Sequence, residues 1–507
     1  MNLKYILPIS TKEPPKKTPS RATQTTAVRR ERSGSVKVMS HEELNCETVE
    51  SVQTLEKFDV VVVGAGTAGC LAAKTTAEAG LAVCLLERKK KEDVGEKVCG
   101  DALGEHHLKN LGLEKPQTGE LERRIEGIRI YSPDLETVFT VKHEDFVGHL
   151  LNRRRFGQWL LRKAEDAGAE LRESTQCLEP LVEKGFVAGV RARDFRTDGN
   201  VDFRSRVVLD ASGFFGAVRK RLPPEAGIEN EVANEDVEAC YREIRQLKQE
   251  ARDANYCEIY LNQAVTPGGY TWVFPKNGAR VNVGLGVCMR GKFPNPKGQL
   301  YKHVLTGPAF EGSLLLTGGA WYDPTRRPLD NMVGDGVAIL GDAACLVNPI
   351  HGGGIGPSML SGHLAGKAVI EALEKGEASQ ENLWPYNCRY METYGTKQAG
   401  LDVFRRLLIG SKDSDLSYGM KYELLKEEDV LKAGVGEEFH LNISDVATRV
   451  FRGLKRIRFL NKLRLTVNMM NQVRAHYKEY PDTPKEFRQW RLRTELLFKE
   501  AEAKLED

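Results

Sequence analysis

Two regimes of hydrophobic patterning divide this chain. Residues 58–63 read Phe-Asp-Val-Val-Val-Val, a short β-branched run of the kind that forms a parallel strand covered on both faces. A helix and a strand over 81–87 follow it, which predicts a βαβ unit. Apolar spacing predicts an amphipathic helix over 150–168, and buried strands recur at 206–211 and 336–341. Between about 220 and 325 strand-like runs dominate, as in an antiparallel sheet, and from 376 the chain reads as charged helix. The predicted class is α/β (α+β overall). A Rossmann-like parallel-sheet domain takes 58–220 and 325–375, an antiparallel-sheet domain 221–324, and a helical region 376–507. Residues 1–57 are a polar extension expected to be disordered, with nine basic against two acidic residues in its first forty. That bias looks like a transit peptide; the competing readings are a tail without function or a start at Met39.

Tyr270, Trp272 and Phe274 take every second position of one run, which puts three rings on one face of a strand that Pro275 ends. Gly284 and Gly286 mark a second strand at which some group approaches closely. Three adjacent rings make a flat, rigid, apolar wall that suits a long hydrocarbon. On residue types alone, ordinary core packing explains the same pattern.

Gly64-Ala-Gly66-Thr-Ala68-Gly69 closes the first strand and opens the first helix. Gly64 permits the tight turn, Gly66 lets a pyrophosphate reach the backbone, and Gly69 allows close helix–strand contact. Free N–H groups and the dipole at the helix start attract phosphates. Glu87 ends the next strand, where its carboxylate is placed to bind an adenosine ribose. A second strand, glycine loop and helix lie within 336–359, with Gly341-Asp342 at the strand end and the loop running from Gly352 to Gly356.

These two motifs resemble those of the para-hydroxybenzoate hydroxylase superfamily of FAD enzymes. The resemblance implies one FAD stretched across both, with Ala68 in the first turn and Asp342 on the ribityl chain. The backbone of Gly353, Gly354 and Ile355 would lie beside the flavin ring, where N–H groups stabilise negative charge. It also implies cofactor contacts from Arg153 and from the backbone of Cys177. For Arg153 a solvated basic face is the competing reading, because Arg154 and Arg155 adjoin it.

Tyr-x-Trp-x-Phe-Pro, eight residues, then Gly-x-Gly is similar to the signature of the geranylgeranyl reductase family, flavoproteins that saturate isoprenoid double bonds. Val98-Cys99-Gly100-Asp101-Ala102, residues 323–329 and residues 397–406 also match that family. The likeness runs from about Phe58 into the C-terminal helices and is nearest to the archaeal branch that acts on ether phospholipids. It implies an FAD-binding domain and a substrate-binding domain. Tyr270, Trp272, Phe274, Pro275, Gly284 and Gly286 would face the lipid, with Cys99 and Gly100 beside the flavin. Cys99, Asp101 or a trapped water would supply the proton that accompanies hydride. Arg326 or Arg327 holds a phosphate or the flavin, or else forms a structural salt bridge. Two departures from the hydroxylase branch stand out: Ser212-Gly213 replaces its Asp-Gly motif, and Cys345 replaces a His. The Asp-Gly motif is associated with nicotinamide use, so the electron donor stays open between NAD(P)H, ferredoxin and a deazaflavin.

Composition adds exclusions. The 507 residues carry a net charge of +3, too small to point to nucleic acid. Ten cysteines without Cys-x-x-Cys spacing read as reduced thiols, and no metal site is expected. No apolar run suits a membrane span, so contact with a bilayer is expected from its surface, at the cytoplasmic face. Residues 449–465 hold seven basic residues and no acid, which fits a membrane-surface helix or a packed helix with a solvated basic face. Two other function classes stay in view. Against an oxygen-using hydroxylase or halogenase stand the aromatic signature, the Cys-Gly-Asp run and the two departures. Against a non-enzymatic prenyl-lipid carrier stand Glu87 and Asp342.

Overall fold

Two sheets and a set of C-terminal helices carry the fold of residues 54–117, 119–142, 147–251, 253–429, 452 and 454–505, those that the computed structural model describes. The polar extension therefore lies outside them up to residue 53. In chain order the elements used below are β1 (Thr54–Val63), α1 (Thr67–Glu78), β2 (Val83–Leu86), β3 (Gly127–Tyr131), β4 (Val138–Val141), α2 (Arg153–Asp166), β5 (Gly199–Asp210), β6 (Glu238–Gln246), β7 (Tyr256–Tyr260), β8 (Thr271–Pro275), β9 (Arg280–Cys288), β10 (Leu314–Asp323), β11 (Val337–Ile339), α3 (Ile355–Glu374), α4 (Thr396–Ile409), α5 (Ile457–Lys478) and α6 (Pro484–Leu505).

The first sheet has eight strands, with β1 at its centre in parallel pairing with β5 and β2, and β11 parallel to β5. Val60, Val61 and Val62 are buried, as a β-branched run covered on both faces requires. Helices α1 and α3 each start from a glycine turn and pack on one another. A Cβ at Gly362 would collide with the Ala68 carbonyl, so that glycine lets the two helices touch. The two helix starts are thereby brought to one side of the sheet.

The second sheet has seven strands in the order β10-β6-β9-β8-β7-β3-β4, antiparallel except for the parallel pair of β7 and β3. Its side chains alternate with period two. One face carries Val273, Val283, Leu285 and Val287 against Leu300, Val304 and Phe310; the other carries Cys257, Ile259, Trp272 and Phe274. Strands β3 and β4 come from 127–141, a span read above with the parallel-sheet domain. Their pairing with β7 is a long-range contact that no local change of pattern announces, and the residues from 54 on fall within one compact unit.

The C-terminal helices lock these layers together. Gln398 on α4 is buried, and its Nε2 donates to the carbonyls of Arg326, Cys345 and Val347 at 2.8, 2.6 and 3.1 Å. Asp402 accepts from Arg405 Nε at 2.8 Å and from the Arg327 backbone N–H at 3.1 Å, and Arg405 reaches Asp236 beside β6 at 2.6 Å. The matched stretch 397–406 thus joins the second glycine loop to the second sheet. In the basic stretch, Phe459 and Leu463 are buried against Leu407 of α4 and Leu460 is also buried, with Arg458 and Arg464 exposed. The packed helix with a solvated basic face is what the fold contains there; Val450 lies outside the described residues.

Burial pushes the Asp402 carboxyl up, but Arg405, Arg406 and Arg327 outweigh it and hold it below the usual carboxylate range. Its ionised form therefore stabilises the fold above about pH 4, the unfolded value. That contribution is lost as pH falls toward the lower folded value. Asp402→Asn is expected to cost about 3–5 kcal/mol at pH 7, since it leaves buried arginines without their partner. Urea unfolding should show the gap from wild type narrowing once the pH drops below about 4.

Candidate active site

The first glycine turn is built for an anionic ligand. Gly64 has φ +102 and sits against the Ala211 carbonyl, and Gly66 opens α1 with no side-chain cap and nothing within 4 Å of where its Cβ would be. Glu87 Oε2 accepts from the Ala65 N–H at 2.9 Å, which fixes the acid beside the turn. Thr175 N–H donates to the Glu87 carbonyl at 2.8 Å, so the strand Thr175–Glu183 runs past this acid; Cys177 on it buries its thiol in the sheet core. Of the three adjacent arginines, Arg154 and Arg155 are exposed and Arg153 is buried. Arg153 Nε and Nη1 have no hydrogen-bond partner among the described residues. A buried guanidinium with two unpartnered nitrogens calls for an anion or a polar ligand.

At the second glycine loop, Gly354 opens α3 without a side-chain cap, and Ile355 is its first residue. Asp342 accepts from Lys97 Nζ at 2.5 Å. Burial alone would lower the Lys97 ammonium, but Asp342 and then Asp323 outweigh it and raise its pKa. This ion pair ties the second loop to the chain just before Cys99. Ser212 donates to Asp210 at 2.5 Å and accepts from the Ala217 N–H at 2.6 Å, so the variant Ser-Gly motif is bound up in its own loop.

The run from Lys97 to Asp101 lies across the second sheet. Arg242 on β6 donates to the carbonyls of Lys97 at 2.9 Å and Cys99 at 3.3 Å. Asn282 on β9 donates to the Cys99 carbonyl at 2.8 Å and to Asp101 Oδ2 at 2.9 Å. Asp101 is buried at φ +65, and Lys276 donates to the same Oδ2 at 2.9 Å. Asp101 N–H donates to Cys99 Sγ at 3.3 Å. Burial, then the Asp101 charge, push the Cys99 thiol up, so it stays protonated at neutral pH. Gly100 passes over Phe274, with a Cβ there only 3.0 Å from the ring.

Tyr270, Trp272 and Phe274 stand side by side on this face, with ring centroids 6.1 and 6.4 Å apart. Tyr270 Oη donates to the His351 carbonyl at 2.6 Å, so the wall reaches the second glycine loop. The close approach read at Gly284 and Gly286 is made by the protein's own side chains. A Cβ at Gly284 would collide with the Trp272 indole, and one at Gly286 would lie 2.6 Å from Glu238 Oε2. Gly284 thus seats the Trp272 ring, and Gly286 makes room for the Glu238 carboxyl. Pro275 closes β8, opposite Val281. Arg326 and Arg327 form salt bridges, to Glu229 at 2.7 Å and to Asp330 at 3.3 Å.

Two family profiles match the chain. That of the geranylgeranyl reductase catalytic domain covers residues 236–312, and that of glucose inhibited division protein A covers residues 59–127. A digeranylgeranylglycerophospholipid reductase of Sulfolobus acidocaldarius is 39% identical over 437 residues, which is 86% of this chain and 96% of that protein. The chain belongs to the geranylgeranyl reductase family. A protein of the same name from Methanothrix thermoacetophila is 34% identical over 381 residues, 74% of this chain and 93% of its own. Among solved structures, a geranylgeranyl bacteriochlorophyll reductase-like protein from Thermoplasma acidophilum aligns with a TM-score of 0.69 and 24% identity, covering 81% of this chain and all of that one. A myxobacterial chondrochloren halogenase, a variant of the FAD-dependent halogenases, aligns at 0.57 and 18% identity, over 87% and 97% of the two chains. These two likenesses show the fold, and the geranylgeranyl reductase profile falls on β6 to β9, the strands that carry the wall.

In this family member the residues present fit a flavin: two helix starts without side-chain caps, an open first turn, and a buried Arg153 with two unpartnered nitrogens. Lys97, Arg242, Lys276 and Asn282 escaped the sequence reading. The available signal was the polar exceptions in alternating runs, Arg242 two positions from Cys240, and Asn282 two from Gly284. Replacing Asn282 by Leu leaves Trp272 Nε1 without its acceptor and loosens the Cys99 run. Stability should fall by about 1–3 kcal/mol for that orphaned donor. Alkylation of Cys99, followed by peptide mass spectrometry, should quicken; an unchanged rate would mean that Asn282 does not hold the loop.

Proposed function

We propose that this protein is an FAD-dependent reductase that saturates the C=C bonds of geranylgeranyl chains, those of ether phospholipids made in membrane lipid biosynthesis. The observation that carries this is one face of one sheet, where the Tyr270–Trp272–Phe274 wall and the Cys99 run meet beside the second glycine loop. Family membership and the names of the relatives support the same substrate class. When bound and reduced, FAD supplies the hydride.

The protein's residues do the rest. Gly64, Gly66, Ala68 and Gly69 would hold the pyrophosphate, Glu87 the ribose and Asp342 the ribityl chain. Arg153 would meet the cofactor with its two free nitrogens. The rings of the wall would lie along the isoprenoid, fix its orientation and exclude water, which is where an unpolarised alkene gains most from an enzyme. Cys99 and Gly100 would lie beside the flavin and the lipid, and Asp101, held by Lys276 and Asn282, would fix their place. The electron donor is external. Among the described residues no helix is long and apolar enough to cross a membrane, and we place the encounter with lipid at the bilayer surface.

Anaerobic turnover tests this reading. Purified protein loaded with FAD and reduced with dithionite is mixed with unsaturated ether lipid, and the lipid is weighed. Mass gains in steps of two hydrogens with reoxidation of the flavin are expected. Unchanged lipid, with oxygen consumed on another substrate, would instead make this a monooxygenase, and a protein that takes up no FAD would make it a carrier.

A further inference from the structure

A reduced alkene needs a proton as well as a hydride, and the Cys-Gly-Asp run is poorly placed to give one. Asp101 is the partner of Lys276, and Cys99 holds its proton tightly. A different pair stands on the same sheet face. Glu238 on β6 lies directly opposite Asp323 on β10, next to the pairs Cys240–Trp321 and Arg242–Gly319. Arg242 in turn faces Gly284, and Gly284 faces Trp272. Strand alternation therefore puts Glu238 and Asp323 on the side of the wall. Glu238 Oε2 lies over Gly286, 2.6 Å from where a Cβ would be, and Gly286 N–H donates to the Tyr270 carbonyl at 3.1 Å. Among the described residues, the Glu238 carboxyl makes no hydrogen bond or ion pair, yet it keeps part of its surface accessible. Its carboxyl is half-buried beside the Gly286 backbone.

We infer, on the strength of the function proposed above, that Glu238 is the proton donor of the alkene reduction and that Asp323 is its partner across the ladder.

The charged and titratable groups around Glu238 are Asp323 from β10, Arg405 from α4, Cys240 on its own strand, Cys288 on β9, and Tyr270. Asp323 accepts from Cys240 Sγ at 3.7 Å and lies in the field of Lys97 and Asp342. Burial first, then the Asp323 charge, push Glu238 up to about 8 against the pull of Arg405. Burial raises Asp323 to about 6, with Lys97 opposing and Asp342 reinforcing. Such neighbours titrate as a pair, and between these values the pair keeps one proton. An isolated alkene has no carbonyl to hold negative charge, so its proton has to stand ready on a neutral acid. In the step, the Glu238 O–H bond and the alkene π bond break and a C–H bond forms on one carbon. The other carbon would receive the hydride, and with it the two electrons, that bound and reduced FAD would supply. Glu238 is left as carboxylate and recovers its proton from water before the next turnover.

Glu238→Gln in the FAD-loaded protein tests this with two readouts. The infrared difference between wild type and variant should show a protonated carboxyl band at pH 7 that fades as the pH passes about 8, apart from the band of Glu258, which burial raises to about 7 in both. In anaerobic single turnover, wild type should slow by about tenfold per pH unit above that point. The variant should be slower by about 100-fold or more and lose that pH dependence, with flavin content unchanged and part of the rate restored in Glu238→Asp. A variant that reduces lipid at the wild-type rate with the wild-type pH profile overturns the inference, as does a wild type without the band. A wild type that shows the band but reduces no isoprenoid overturns the proposed function, and the proton delivery with it.

Discussion

One buried amide, that of Asn282, couples the two halves of the site. Its oxygen accepts from Trp272 Nε1 at 2.9 Å, and its nitrogen donates to the Cys99 carbonyl and to Asp101 Oδ2. The wall and the Cys99 run therefore cannot move independently. Asparagine suits this place because it donates and accepts from one rigid plane. A hydrophobic residue of similar size would fill the space but leave a buried indole N–H without a partner.

Around that amide the fold concentrates buried charge. Lys276 is buried between Asp101 and Glu122, 2.9 and 3.2 Å away, and also donates to the Leu151 carbonyl at 2.7 Å. A buried ion pair gives little net stability, because desolvation offsets most of the attraction, but breaking it is costly. Its use here is to fix one arrangement of the loop. The same logic recurs at Asp402 with Arg405, and at Gln398, whose three carbonyl contacts hold the second glycine loop from behind. The second glycine loop and the sheet face are thus held by groups other than Arg153 and the two helix starts.

The sequence made the local parts of this site legible. Glycine spacing located both turns, and the alternation of Tyr270, Trp272 and Phe274 placed the rings on one face, because a strand's period follows from backbone geometry alone. What joins the parts was hidden by distance. Asn282 stands 183 residues from Cys99 and Lys276 stands 175 from Asp101, and no periodicity reports such pairs. The role of Gly284 was legible only in half: close approach was correct, and the group that makes it is Trp272, its ladder partner on the neighbouring strand. The choice among Arg153, Arg154 and Arg155 depended on how α2 rotates against the sheet, which three like residues in a row cannot reveal.

A crystal structure of the FAD-loaded protein with an unsaturated isoprenoid lipid would test the central claim most directly. The account predicts the hydrocarbon lying along Tyr270, Trp272 and Phe274, between them and the flavin, with Cys99 over the chain and the Glu238 carboxyl turned toward a double bond. A lipid bound on another surface, or a flavin held away from residues 352–355, would contradict it.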